Sequence, residues 1–78
     1  MFFHHIPPKD LKAFPNTKSA KRKNGRKRWK DNDGKIYEWD SQHAKVEIYD
    51  KQGKHLGEYD PDTGEQKQPV DNSRKTER

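Results

Sequence analysis

Seventy-eight residues carry 18 Lys and Arg against 13 Asp and Glu, a formal net charge of +5, with 40% of positions charged and 24% hydrophobic. So short and polar a chain has room for one domain, residues 1–78, built on a thin core that a bound partner would stabilise. It holds no apolar run of membrane-spanning length, Met1-Phe2-Phe3 is too short for a signal-peptide core, and the absence of cysteine removes disulfides and thiolate metal sites. Membrane insertion by this domain is therefore not expected, and the lack of cysteine fits work in a reducing cytosol.

The charge is unevenly placed. Residues 1–30 contain ten Lys or Arg and one acid, Asp10. Residues 31–65 contain four Lys and ten acids, and residues 66–78 four basic residues and two acids. A basic arm on an acidic body is the pattern expected when the arm grips phosphate and the body does something else.

In chain order, Pro7-Pro8 predicts a short helix over Lys9–Phe14, since proline is tolerated in a first turn, and Pro15 ends it. Residues 18–28 are almost continuously basic and read as a loop or irregular arm, so that 1–25 form an N-terminal helix and basic arm. From there Asp33-Gly34, Gln52-Gly53 and Thr63-Gly64 mark turns between segments that favour strands. Tyr37 and Trp39 fall on one face of their segment, with Ile36, Glu38 and Asp40 on the other. Ala44, Val46 and Ile48 oppose Lys45, Glu47 and Tyr49 in the next.

The expected fold is mainly β (small α+β): a highly twisted antiparallel sheet of four to six short strands over residues 26–70, with a basic tail at 71–78. Its core would draw on Phe14, Trp29, Ile36, Tyr37, Trp39, Val46, Ile48, Tyr49, Leu56 and Tyr59.

Within Tyr37–Glu47, His43 lies between Asp40 and Glu47. Helical spacing would also align the three, but Val46, Ile48 and Tyr49 favour strand. Four extended residues span about 13 Å, so the group works on one phosphodiester only if the chain folds back at a turn over Asp40–His43.

RNA cleavage needs a base for the ribose 2′-hydroxyl, an acid for the departing 5′-oxygen and a cation for the phosphoryl oxygens. Glu47 is the candidate base, His43 the candidate acid, Asp40 the group that orients His43 and keeps it protonated, and Arg74 the candidate cation. No cofactor or metal is called for, because the substrate carries its own nucleophile. Arg22, Lys23, Arg26, Lys27 and Arg28 of the arm, with Lys45 and Tyr49 beside the cleft, are the candidate RNA contacts. The alternative is a non-catalytic basic RNA- or ribosome-binding module in which Asp40, His43 and Glu47 serve the fold.

The nine residues Lys35–His43, followed by Glu47 and Tyr49, closely resemble the C-terminal cytotoxic ribonuclease domain of the E-group colicins, found also in cloacin-like bacteriocins and contact-dependent inhibition toxins. The likeness continues through His55-Leu56-Gly57, Tyr59-Asp60-Pro61 and Thr63-Gly64, includes Arg28-Trp29 upstream, and covers roughly residues 26–75. It implies a twisted antiparallel sheet that cleaves small-subunit (16S) ribosomal RNA in the decoding centre without a metal and so stops translation. The family's catalytic Asp, His and Glu fall on Asp40, His43 and Glu47, and its catalytic Arg on Arg74.

The resemblance further implies delivery from a bacterial producer as part of a larger toxin, action in the target-cell cytoplasm, and a tightly bound, acidic immunity protein as partner besides the ribosome. The chain departs from the pattern at Ala44, where Gly is familiar, and at Lys45, where an acid is usual.

Overall fold

A computed structural model describes residues 4–78, so the Met1-Phe2-Phe3 reading lies outside the described residues. The protein is mainly β. Six strands, β1 (Lys18–Lys23), β2 (Arg26–Lys30), β3 (Ile36–Asp40), β4 (Lys45–Tyr49), β5 (His55–Tyr59) and β6 (Gln66–Gln68), form one antiparallel sheet in sequence order.

Two expectations fail here. The basic stretch is not an irregular arm: β1 and β2 pair as a hairpin, with Lys23 opposite Arg26 and Ala20 opposite Arg28 across an irregularity. Asn24 and Gly25 both take positive φ, 53° and 76°, the backbone that a two-residue hairpin turn requires. Nor is there a helix among the described residues. Lys9–Phe14 forms bends and turns, because six residues between prolines gain little from helix formation while their backbone has better partners in the sheet. Trp29 Nε1 donates to the Lys9 carbonyl at 3.2 Å, Trp39 Nε1 to the His5 carbonyl at 2.8 Å, and the Ala13 amide to the Pro61 carbonyl at 2.9 Å.

This N-terminal segment covers one face of the sheet. Leu11, which the sequence did not single out, is buried there with Trp29, Tyr37, Trp39, Val46 and Ile48, and Phe14, Ala44, Leu56 and Tyr59 pack against the cluster. Phe14 lies 5.3 Å from the Tyr37 ring and 6.1 Å, edge on, from Tyr59. Ile36 and Tyr49 are buried but stay outside that cluster, as alternation along β3 and β4 requires.

Across the opposite face the register sets Arg28 beside Glu38, Glu38 beside Glu47, and Glu47 beside Glu58. Residues 71–77 lie over this charged row. The Thr76 hydroxyl donates to Glu38, Arg28 donates to the Glu77 carbonyl, and the Thr76 amide donates to the Gly53 carbonyl at 2.9 Å. Gly53 has a φ of +88°, and a Cβ there would collide with the Thr76 carbonyl.

One device closes every later hairpin. Asp31, Asp40, Asp50 and Asp60 each stand just after a strand or end one, and each accepts at Oδ1 from two backbone amides of the turn that follows. Such Asx geometry is why Asp favours these positions. At Asp60 the Thr63 and Asp62 amides hold the carboxyl below its ordinary pKa.

Candidate active site

At the β3–β4 turn the device has a second use. Asp40 Oδ1 holds the turn through the Gln42 and His43 amides, while Oδ2 stands 2.8 Å from His43 Nδ1. The Nδ1 proton therefore points at Asp40, which leaves the Nε2 side of the ring for a substrate. The turn re-enters β4 through Ala44 at a φ of 55°, a left-handed conformation that costs a residue with a Cβ about 1 kcal/mol or more. Here the family's familiar Gly has a physical reason.

Glu47 occupies a different setting. Its side chain is 2% exposed, and both oxygens are engaged: Oε2 with His55 Nε2 at 2.6 Å and Oε1 with Arg74 Nη1 at 2.9 Å. The Asp71 amide donates to His55 Nδ1 at 2.9 Å, so the remaining ring proton is on Nε2 and goes to Glu47. The tail that supplies Asp71 also fixes Arg74, whose carbonyl accepts from the His55 amide at 3.3 Å and whose amide donates to the Asp71 carbonyl at 3.0 Å. Burial pulls the Arg74 guanidinium down, but the charge of Glu47, with Tyr49 beside it, outweighs this and keeps it above its ordinary value.

Glu58 joins the two settings. It stands opposite Glu47 across β4 and β5, and its Oε2 is 3.7 Å from His43 Nδ1. Burial, and then the neighbouring Glu47 charge, push its carboxyl above the ordinary glutamate range, while His43 opposes them. Asp40, His43 and Glu58 bring their ligand atoms within 4.8 Å of one another. Within that grouping His43 Nδ1 stands 2.8 Å from Asp40 Oδ2 and 3.7 Å from Glu58 Oε2.

His43, Glu47, Glu58 and Arg74, with Lys45, His55 and residues 68–72, line an open cleft of about 660 Å³. A second hollow of similar size adjoins it at Arg74 and is lined by Lys23, Arg26, Glu38, Tyr49 and Lys75.

The structure thus brings His43, held by Asp40 from outside the lining, and the Glu47–Arg74 pair to one cleft. Lys45 lies on its wall, and Lys23 and Arg26 border the adjoining hollow. One expected RNA contact needs correction: Arg28 is 1% exposed, paired with Glu38 and covered by the tail, so it offers no surface to RNA. Tyr49 is mostly buried against His55 and borders only the adjoining hollow. Arg22 and Lys27 border a separate hollow beside His5, Pro7 and Trp39.

The sequence reading missed His55 and Glu58. Both come from β5, and their relation to Glu47 depends on a register broken between Ile48 and Tyr49, which spacing alone does not disclose.

The Cytotoxic family model matches residues 5–77. Colicin E3 of Escherichia coli is 50% identical over 60 residues, covering 73% of this chain and 11% of the colicin. Colicin-E6 is 42% identical over 74 residues and cloacin 40% over 74 residues, both from Escherichia coli, with 81% and 83% of this chain covered. The chain corresponds to 13% of each of those two toxins, so it spans only a small part of the relatives it matches.

Proposed function

The chain belongs to the Cytotoxic family shared with colicins and cloacin, and from that premise we propose that it is the ribonuclease part of a bacterial toxin. Its substrate on this reading is 16S ribosomal RNA of the small subunit, cut at the decoding centre so that translation stops. The observation that carries the reading is that His43, paired with Asp40 behind it, and a Glu47–Arg74 pair open onto one cleft.

In this reading a cleft carboxylate takes the proton of a ribose 2′-hydroxyl; Glu47 is the residue that the family pattern supplies. The freed oxygen attacks the adjoining phosphorus, His43 protonates the departing 5′-oxygen, and Arg74 stabilises the charge on the phosphoryl oxygens. Asp40 holds the imidazole with Nε2 outward. The chemistry calls for no metal, since the attacking oxygen belongs to the substrate. Lys23, Arg26, Arg74 and Lys75 around the adjoining hollow supply a salt-sensitive hold on phosphate. So small a surface reads few bases, and selection of one linkage comes from docking on the folded ribosome.

The same basic rim suits an acidic immunity protein that blocks ribosome access in the producer. Delivery into the target-cell cytoplasm would fall to other parts of a larger toxin. Incubation with purified ribosomes in the presence of a chelator tests the reading. It should release one discrete 3′ fragment of small-subunit RNA, and His43→Ala should release none. Intact RNA with retained ribosome binding would instead leave a binding module.

A further inference from the structure

A single buried imidazole supports both members of the Glu47–Arg74 pair. His55, at the start of β5, is 4% exposed and packs against the Tyr49 ring with centroids 5.2 Å apart. Its Nε2 stands 2.6 Å from Glu47 Oε2, and the Asp71 amide donates to its Nδ1 at 2.9 Å. Its own backbone amide donates to the Arg74 carbonyl at 3.3 Å. The ring therefore lies between β4, which carries Glu47, and the tail, which carries Arg74.

We propose that His55 is a positioning residue of this site: one ring, held in a single tautomer, sets Glu47 through Nε2 and the tail that carries Arg74 through Nδ1. This inference rests on the ribonuclease reading and leaves its proton transfers with Glu47 and His43. His55 itself exchanges no proton.

Both partners need such a hold. The last torsion of a glutamate is broad, so a carboxylate left to itself turns freely about it. The bond from His55 fixes Oε2, and Oε1 is then the oxygen that meets Arg74. A carboxylate has about four lone-pair sites, so Glu47 keeps room to take a proton with both bonds in place. The tail is the weaker element: residues 71–78 form a turn and one isolated bridge, Lys54 with Lys75. The Asp71 bond to Nδ1 anchors that segment three residues before Arg74. An imidazole suits the task because its acceptor and donor nitrogens lie on different edges of a rigid ring. Asparagine and glutamine carry both functions at one branch point, so each can serve only one of the two partners.

The test is single-turnover cleavage of purified ribosomes at saturating protein. His55→Asn and His55→Gln are made in the wild type and in an Arg74→Ala background. Ribosome pelleting follows binding, and circular dichroism follows the sheet. Asn keeps an acceptor for Asp71 and releases Glu47; Gln keeps a donor for Glu47 and releases the tail. Both variants should stay folded, bind normally and cut about 10²-fold more slowly. In the Arg74→Ala background His55→Gln should cost less than about threefold, because the freed tail has no guanidinium left to place, whereas His55→Asn still slows cleavage. A rate within about threefold of wild type for either variant would overturn the proposal. So would an equal cost of His55→Gln with and without Arg74, or loss of the sheet signal in both variants, which marks a residue of the fold alone. Intact RNA with the wild type is a separate outcome: it removes the ribonuclease reading, and this proposal with it.

Discussion

On one face of the sheet Trp29, Tyr37, Trp39, Val46 and Ile48 pack against Leu11 from the N-terminal segment. On the other, Arg28, Glu38, Glu47, His55 and Glu58 lie beneath residues 71–77. Each end of the chain therefore covers one face, and both rows are buried. The physics differs. Burying hydrocarbon contributes about 25 cal/mol per Å², whereas burying paired charges roughly breaks even against their lost hydration. The apolar face holds the fold. The charged face draws on that stability to keep titratable groups at fixed positions around a cleft.

The largest expected effect lies on the apolar side. Trp29→Ala should cost about 3–5 kcal/mol in urea unfolding, enough to leave a domain of this size barely folded. A loss under about 1 kcal/mol would show that stability is drawn from the charged face instead.

Gly53→Ala should come next, at about 1–3 kcal/mol, because the methyl must push the Thr76 carbonyl away. Its distinctive mark is on the tail: protease cleavage near Arg74 should speed up while the β-sheet circular dichroism is retained. Unchanged cleavage would mean that Gly53 does not seat the tail.

The smallest effect concerns pH. The folded state holds Glu58 above the ordinary glutamate pKa of 4.5, so it binds more protons than the unfolded chain in the window just above that value. Stability contributed through this group therefore falls as pH rises through the window. Glu58→Gln should be stabilised relative to wild type at neutral pH, and the difference should shrink on acidification. A constant difference across pH would show that Glu58 titrates alike in both states.

Sequence made the central strands legible because Tyr37, Trp39, Val46 and Ile48 alternate cleanly and Gly34, Gly53 and Gly64 punctuate them. The Asp40–His43 pairing was legible for a related reason, since both lie within one turn and no long-range register intervenes. The β1–β2 hairpin was hidden by its own charge: Lys and Arg on both strands obscured the Asn24-Gly25 turn. Lys9–Phe14 misled in the opposite sense, because local proline rules described a helix while Leu11 and the Trp29 and Trp39 indoles set the backbone path. Glu58 and His55 needed a strand register that one irregularity shifts.

Of the two edge strands, β1 and β6, β1 pairs with no further strand on its far side among the described residues, so that edge forms an open template for another copy of the chain. Lys18, Lys21, Arg22 and Lys23 populate that border. Two such borders repel each other, so like charge opposes edge-to-edge pairing between copies, and reversing those charges would remove a safeguard against self-assembly.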